Sequence, residues 1–298
     1  MKFNFHTHTT FCDGKNTAEE MLLSAINKNF DILGFSSHCF HPLNPEFYTP
    51  EDTLWHIPAN QIKAYTSEIN RLKEKYQSQI KVRLGFEADY FESPKYGSAI
   101  PDKASYKEFA PDFLIGAVHF VGTEKGFYSV DHHTEIVKEN LLKLYSKNGK
   151  INGKQAVTDY FEAERAMLKK GNFDILAHPD LIRKRNGDIN FFDEKDSWYR
   201  EQIKLTAKAA AKAGVIVEIN TGAITRGAMD DVYPSAEFLQ LLHDQGCPIT
   251  VSSDCHNAEA IDGAFDRAIA AAKKAGYTEL AYPDNGKIIN VNLKDFII

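Results

Sequence analysis

Asp112-Phe-Leu-Ile-Gly-Ala-Val-His119 is the stretch whose reading decides the fold. It opens on an aspartate, runs through apolar and small residues for too short a distance to be a helix, and closes on a histidine. A continuous apolar run of this length reads as a strand covered on both faces, the kind found in parallel sheets. Asp31-Ile-Leu-Gly-Phe and Asp174-Ile-Leu-Ala-His178 begin the same way. A histidine stands seven residues after the aspartate at His38, as it does at His119, and four residues after it at His178. The echo is repeated strand entry within one domain, not a repeat protein.

Working outward, strands are expected at 2–8, 32–37, 82–90, 113–119, 174–178, 215–220 and 248–254, and helices at 17–29, 60–76, 155–170, 196–213, 234–245 and 258–275. Thr17 and Glu20 form a capping box at the first helix. Four later helices end near Gly171, Gly214, Gly246 and Gly276, where glycine can adopt the left-handed stop conformation. Strand and helix alternating this often imply a parallel sheet with crossover helices, and seven such units favour a closed α/β barrel. Three stretches break the alternation: 41–59, 91–110 and 120–152. Each follows an expected strand, which puts it at the C-terminal mouth of a barrel, where active sites are built. No shift in composition marks a linker, so one domain spanning 1–298 is expected.

Composition removes several classes of protein. The 298 residues are 43% hydrophobic and 26% charged, which argues against disorder, and no apolar run approaches the roughly 18 residues of a membrane span. The net charge of −6 gives no support to a nucleic-acid partner. Cys12, Cys39, Cys247 and Cys255 show no paired spacing, and the chain opens without an apolar leader, so a cytoplasmic protein is expected.

The 11 histidines are the least ordinary number. In His6-Thr7-His8 the two imidazoles share one face of a strand, and Asp254-Cys255-His256 repeats the spacing at the end of the last expected strand, with Cys255 pointing away. His38, Glu87, His119 and His178 fall near the ends of strands between them. Each alone reads as a satisfied polar side chain. Together they would be costly to desolvate without a bound cation. Asp13, in an Asp-Gly turn, is a further donor. Nine donors exceed what one ion takes and suit three, and imidazole with carboxylate fits Zn, Mn or Fe. Such a centre is built for hydrolysis at a phosphoryl group. Arg183 and Arg226 follow two neighbouring strands, and guanidinium forks match phosphate oxygens; His41 could add a donor. Anchoring of a terminal dianion points to a phosphomonoester. Asp89 and Glu218 read as orienting or substrate-facing carboxylates, and His56, His132, His133 and His243 as exposed.

Taken in order, His6-x-His8, His38, Glu87 in Gly85-Phe-Glu-Ala-Asp-Tyr90, His119 in Gly116-Ala-Val-His119, His178-Pro179 and Asp254-x-His256 resemble the motifs of the polymerase-and-histidinol-phosphatase (PHP) family. With His41, Arg183 and Arg226 the chain is similar to its histidinol-phosphate phosphatase branch. The resemblance implies a distorted (β/α)7 TIM-like barrel with a trinuclear centre. It implies one metal on His6, His8, Glu87 and Asp254, a second sharing Glu87 with His119 and His178, and a third on Asp13, His38 and His256. It implies that metal-bound hydroxide attacks phosphorus, with no residue assigned as general acid, and that L-histidinol phosphate is hydrolysed in histidine biosynthesis. A phosphoesterase of the same family acting on nucleotides is the alternative.

Overall fold

The computed structural model describes residues 1–39, 55–95 and 97–297. Eight parallel strands form the central sheet: β1 Phe3–Asn4, β2 Ile32–Phe35, β3 His38–Cys39, β4 Lys81–Asp89, β5 Phe113–Ala117, β6 Ile175–Leu176, β7 Ile216–Asn220 and β8 Ile249–Ser252. Their order is β1-β2-β4-β5-β6-β7-β8, and β3 lies beside β4 where β2 has ended. Thr7 bridges Cys255 in parallel, and the His8 N–H donates to the Cys255 carbonyl at 3.0 Å. That bridge joins the two ends of the path and makes the sheet a nearly closed seven-stranded barrel.

All seven expected strands are present. The break between β2 and β3 is where the barrel is distorted: Ser36 and Ser37 leave the ladder, and the Glu87 N–H still reaches the Ser36 carbonyl at 3.0 Å. The α-helices of more than four residues are α1 Ala18–Asn27, α2 Ile62–Lys75, α3 Thr134–Tyr145, α4 Gly153–Lys170, α5 Ser197–Ala213, α6 Ala236–Asp244 and α7 Phe265–Lys274. The capping box at α1 has both of its bonds: the Glu20 N–H reaches Thr17 Oγ1, and the Thr17 N–H reaches Glu20 Oε2 at 2.8 Å. Gly214, Gly246 and Gly276 have φ of 71°, 72° and 97°, as expected of helix stops. Gly171 does not. It is extended, and it is small because a Cβ there would stand 2.8 Å from the Pro101 carbonyl oxygen.

Other elements were not anticipated. Helix α3 lies inside the stretch 120–152, preceded by a hairpin of Phe120–Thr123 with Gly126–Ser129. The expected helix 258–275 is a short 3₁₀ turn followed by α7, and the chain ends in the hairpin Glu279–Asp284 with Lys287–Asn292.

The barrel is filled differently at its two ends. At the N-terminal end the rings of Phe3, Phe5, Phe113, Tyr282 and Phe296 pack edge to face and stacked, with centroids 5.1 to 5.8 Å apart between successive partners. Phe113 occupies the space left by Gly34 and Gly85 on the neighbouring strands, where a Cβ would collide with its ring. Two residues further along β4, on the same face as Gly85, stands Glu87. The apolar floor therefore ends directly below a carboxylate. One core cluster of buried residues runs from Phe3 to Phe296.

Because Gly85 admits the Phe113 ring, Gly85→Ala should cost about 1–3 kcal/mol through overpacking. The change is checked by denaturant unfolding; an unaltered midpoint would show that the ring has room to move.

Candidate metal centre

Most of the expected metal residues follow from the strand that carries or precedes them; Asp13 comes from a turn. Period two along β4 and β5 turns Glu87 and His119 to the interior, and the turns leaving β6 and β8 bring in His178 and Asp254. Both of these last residues have positive φ, 21° for His178 and 47° for Asp254. Left-handed backbone at a non-glycine residue costs of order 1–3 kcal/mol, and here it redirects a side chain at the end of a strand into the mouth.

Glu87 is 1% exposed and stands at the centre. Its Oε2 lies 2.9 Å from His6 Nε2, 3.0 Å from His38 Nδ1 and 3.5 Å from His8 Nε2. Its Oε1 lies 3.0 Å from His178 Nε2 and 3.5 Å from His119 Nε2. Asp254 Oδ1 is 3.1 Å from His8 Nε2, and Asp13 Oδ2 is 3.0 Å from His256 Nε2. All nine residues named from the sequence as metal-directed are thus gathered in one cluster.

The decisive detail is direction. His6 Nε2, His8 Nε2, Glu87 Oε2, Asp13 Oδ1 and His178 Nδ1 are buried and make no hydrogen bond. His6 Nε2 and Glu87 Oε2 approach to 2.9 Å without hydrogen-bond geometry, so neither is aimed at the other. Leaving one such group unmade costs about 1–3 kcal/mol, more when it is charged. Four groups draw their ligand atoms within 4.8 Å: His8, Asp13, His38 and His256; His6, His8 and Glu87; His6, His178 and Asp254; His38, Glu87 and His119. Imidazole and carboxylate donors converging in this way fit divalent cations such as Zn or Mn.

The outer contacts fix the imidazoles. Glu218 Oε1 lies 2.7 Å from His6 Nδ1, while its Oε2 accepts the His178 N–H at 3.0 Å and Asn220 Nδ2 at 2.9 Å. Asp89 holds His119 Nδ1 at 2.5 Å and His56 Nε2 at 2.6 Å. A carboxylate on Nδ1 sets the tautomer that leaves Nε2 free to ligate. His56, read from the sequence as exposed, is only 3% exposed. It lines the cavity beside Trp55 and is held by Asp89, a partner from another strand that local sequence does not signal.

Charge in the cluster is balanced by protons. Burial opposes a charge on His6 and His119, but Glu218, Glu87 and Asp254 raise His6, and Asp89 and Glu87 push His119 up to about 10. Burial with the neighbouring His256 and His38 drives His8 down to about 3, and burial also lowers His38. Burial would raise the carboxyls of Glu87 and Asp254; the imidazoles around Glu87, and Arg226 with His6 beside Asp254, hold them well below the ordinary range.

The cluster floors a cavity of about 200 Å³ whose walls include Trp55, His56, Phe120, Asp131, Leu181, Lys184 and Arg226. Of the three residues expected at phosphate, Arg226 lines it, donating to Asp254 Oδ2 at 2.9 Å, and His41 lies outside the described residues. Arg183 does not line it. Its guanidinium is turned into the protein, on Glu194 Oε2 at 2.9 Å, Asp231 Oδ2 at 2.7 Å and the Val232 carbonyl at 3.1 Å. Its neighbour Lys184 faces the cavity instead, with Nζ 3.0 Å from Asp131 Oδ2. The sequence run Arg183-Lys184-Arg185 offered three cations, and nothing local said which one turned inward.

Residues 4–222 match the PHP domain. The chain belongs to the PHP domain family. The histidinol-phosphatase of Bacillus subtilis is 26% identical to this PHP protein over 272 residues, 88% of this chain and 96% of that one. The hisK protein of Listeria monocytogenes has the same fold, with a TM-score of 0.76, 23% identity, and coverage of 89% of this chain and 99% of the other. Histidinol phosphate phosphatase from Lactococcus lactis, solved with Zn, L-histidinol and phosphate, matches with a TM-score of 0.65 at 21% identity, covering 97% of this chain and 98% of that one.

With His119 pushed up to about 10 and His6 raised in the same direction, the metal-free cluster is expected to hold imidazole protons at neutral pH. Ligation requires neutral imidazole, so loading should release at least one proton, and metal affinity should fall as pH decreases. Calorimetry in buffers of different ionisation enthalpy measures this; release near zero would remove His119 from the ligand set.

Proposed function

We propose that the chain is a metal-dependent phosphomonoesterase that hydrolyses L-histidinol phosphate to L-histidinol and phosphate in histidine biosynthesis. The observation carrying this reading is a cavity lined by Asp13, Glu87 and His178, each with a buried atom that makes no hydrogen bond, and by Arg226 and Lys184. The chain aligns nearly end to end with proteins named histidinol-phosphatase, which supports the choice of ester. The continuous core from Phe3 to Phe296 supports treating residues 1–298 as one phosphatase domain. Cys12, Cys247 and Cys255 carry free thiols, which supports a cytoplasmic enzyme, and no helix among the described residues is long and apolar enough to cross a membrane.

Three divalent cations are proposed for the nine residues. The group of His8, Asp13, His38 and His256 supports the third centre implied by the family motifs, enlarged by His8. The groups His6–His8–Glu87 and His6–His178–Asp254 together span the first, and Glu87 with His119 belongs to the second. When bound, the cations would lower the pKa of water toward neutrality and polarise phosphoryl oxygens.

The chain's own residues then have separable tasks. Arg226 and Lys184 hold the oxygens that do not react and neutralise the charge that grows on them. Arg226 is itself held by Asp254, which fixes where its guanidinium points. Glu218 and Asp89 keep His6 and His119 in one orientation and one tautomer. Trp55 and Phe120 give the organic portion of the ester an apolar wall. Asp131 is held well below the ordinary carboxylate range: burial opposes this, but Lys184 and His119 outweigh it. It therefore offers a fixed negative charge to a substrate ammonium.

The primary test is phosphate release from histidinol phosphate and from a nucleotide panel after reconstitution with Zn, Mn or Fe. Selective turnover of histidinol phosphate is expected. Preference for nucleotides, or no turnover with any metal, would overturn the reading. For the amine, Asp131→Asn should lower kcat/KM for histidinol phosphate about tenfold more than for phenyl phosphate, which has none. An unchanged ratio would remove Asp131 from amine recognition.

A further inference from the structure

Arg183 is not among the residues lining the cavity, yet its side chain is only 6% exposed and all three guanidinium nitrogens have carboxylate or carbonyl partners. Its partners come from three separate segments. Asp180, at 3.5 Å, belongs to the turn after β6; Glu194 precedes α5; and Asp231 and Val232 lie in the loop between β7 and α6. Asp180 is tied onward, accepting the Ser235 N–H at 2.8 Å. The guanidinium therefore sits at the junction between the loop that carries Lys184 and the loop that carries Arg226.

We infer that Arg183 is a positioning residue for phosphate binding that acts through Lys184, an assignment resting on the phosphatase reading above. Leu181–Arg183 is a single 3₁₀ turn, and Lys184 and Arg185 follow it in the turn before the short helix Asn186–Ile189. Arg183 turns back into the loops and Lys184 turns to the cavity. Arg185 turns to the other side, donating to the carbonyls of His132 at 2.7 Å and Asp131 at 3.2 Å. With its neighbours anchored on both sides, the Lys184 backbone has one orientation. A planar fork reaches three partners at once, which an ammonium on a flexible stem does not. Arg183 thus converts two loop positions into one fixed direction for the Lys184 ammonium.

The test is a double-mutant cycle in the metal-loaded full chain, read as the affinity for inorganic phosphate by calorimetry and as competitive inhibition. Arg183→Gln should weaken phosphate about tenfold, raising KM while kcat stays within about threefold. Lys184→Gln should weaken phosphate at least as much, and the double variant should be no weaker than Lys184→Gln alone to within about twofold. Losses that multiply, or an unchanged phosphate affinity in Arg183→Gln, would overturn the inference. Removing one partner of a buried ion pair can prevent folding. Glu194→Gln therefore serves as the second variant, because Glu194 is 37% exposed and carries one of the ties. It should weaken phosphate about two- to threefold, and the loss should vanish in the Lys184→Gln background; a loss that persists there overturns the inference. If the wild-type loaded chain binds no phosphate, the phosphatase reading and this inference fall together. If phosphate binds but the two positions are uncoupled, only the role of Arg183 is lost.

Discussion

The Glu87 carboxylate, buried at the top of the barrel, is the charge on which the rest of the site depends. Removing a lone carboxylate from water is costly enough that it would ordinarily take up a proton. Glu87 instead stays ionised, because imidazoles from four different strands or strand ends surround it. Their own charge is set in turn by an outer ring, with Glu218 on His6 and Asp89 on His119. With His6 and His119 both raised, protons on imidazole would supply in the metal-free state the compensation that cations would otherwise give. Exchange of protons for cations is thus built into the electrostatics of the cluster.

Much of this was legible in the sequence because a strand is a ruler. Period two fixes the side on which His6, His8, Glu87 and His119 emerge, and a strand ending at a histidine fixes height along the barrel axis. Barrel closure needed more, since it rests on the Thr7–Cys255 bridge between residues almost the whole chain apart. The outer carboxylates were half legible: Glu218 and Asp89 stood on the right faces, but their choice of imidazole depends on which strands adjoin.

Loops carry no such ruler. Arg183, Lys184 and Arg185 are all cationic and consecutive, and the end of a 3₁₀ turn at Arg183 with the turn that follows it sends them three ways. Arg183 was the natural choice for a phosphate ligand because its fork suits oxyanions. That same fork suits the carboxylates of Glu194 and Asp231, which come from segments the sequence gives no reason to place nearby. The burial of His56 escaped for a related reason: it depends on Asp89, which comes from a strand far along the chain.

The two ends of the barrel divide the labour of stability and chemistry. Aromatic rings packed over Gly34 and Gly85 close the N-terminal end with apolar burial alone. The C-terminal end accepts positive φ at His178 and Asp254 together with unpartnered buried nitrogen and oxygen atoms. Both features are unfavourable, and a dense floor is what allows them to persist, since local strain survives only where the surroundings over-determine it. A cation entering the mouth would satisfy the unpartnered atoms without moving the backbone that aims them. The strain at the strand ends is in this sense preorganisation: the folding energy of the floor holds the donors apart, at the positions a cation would otherwise have to impose.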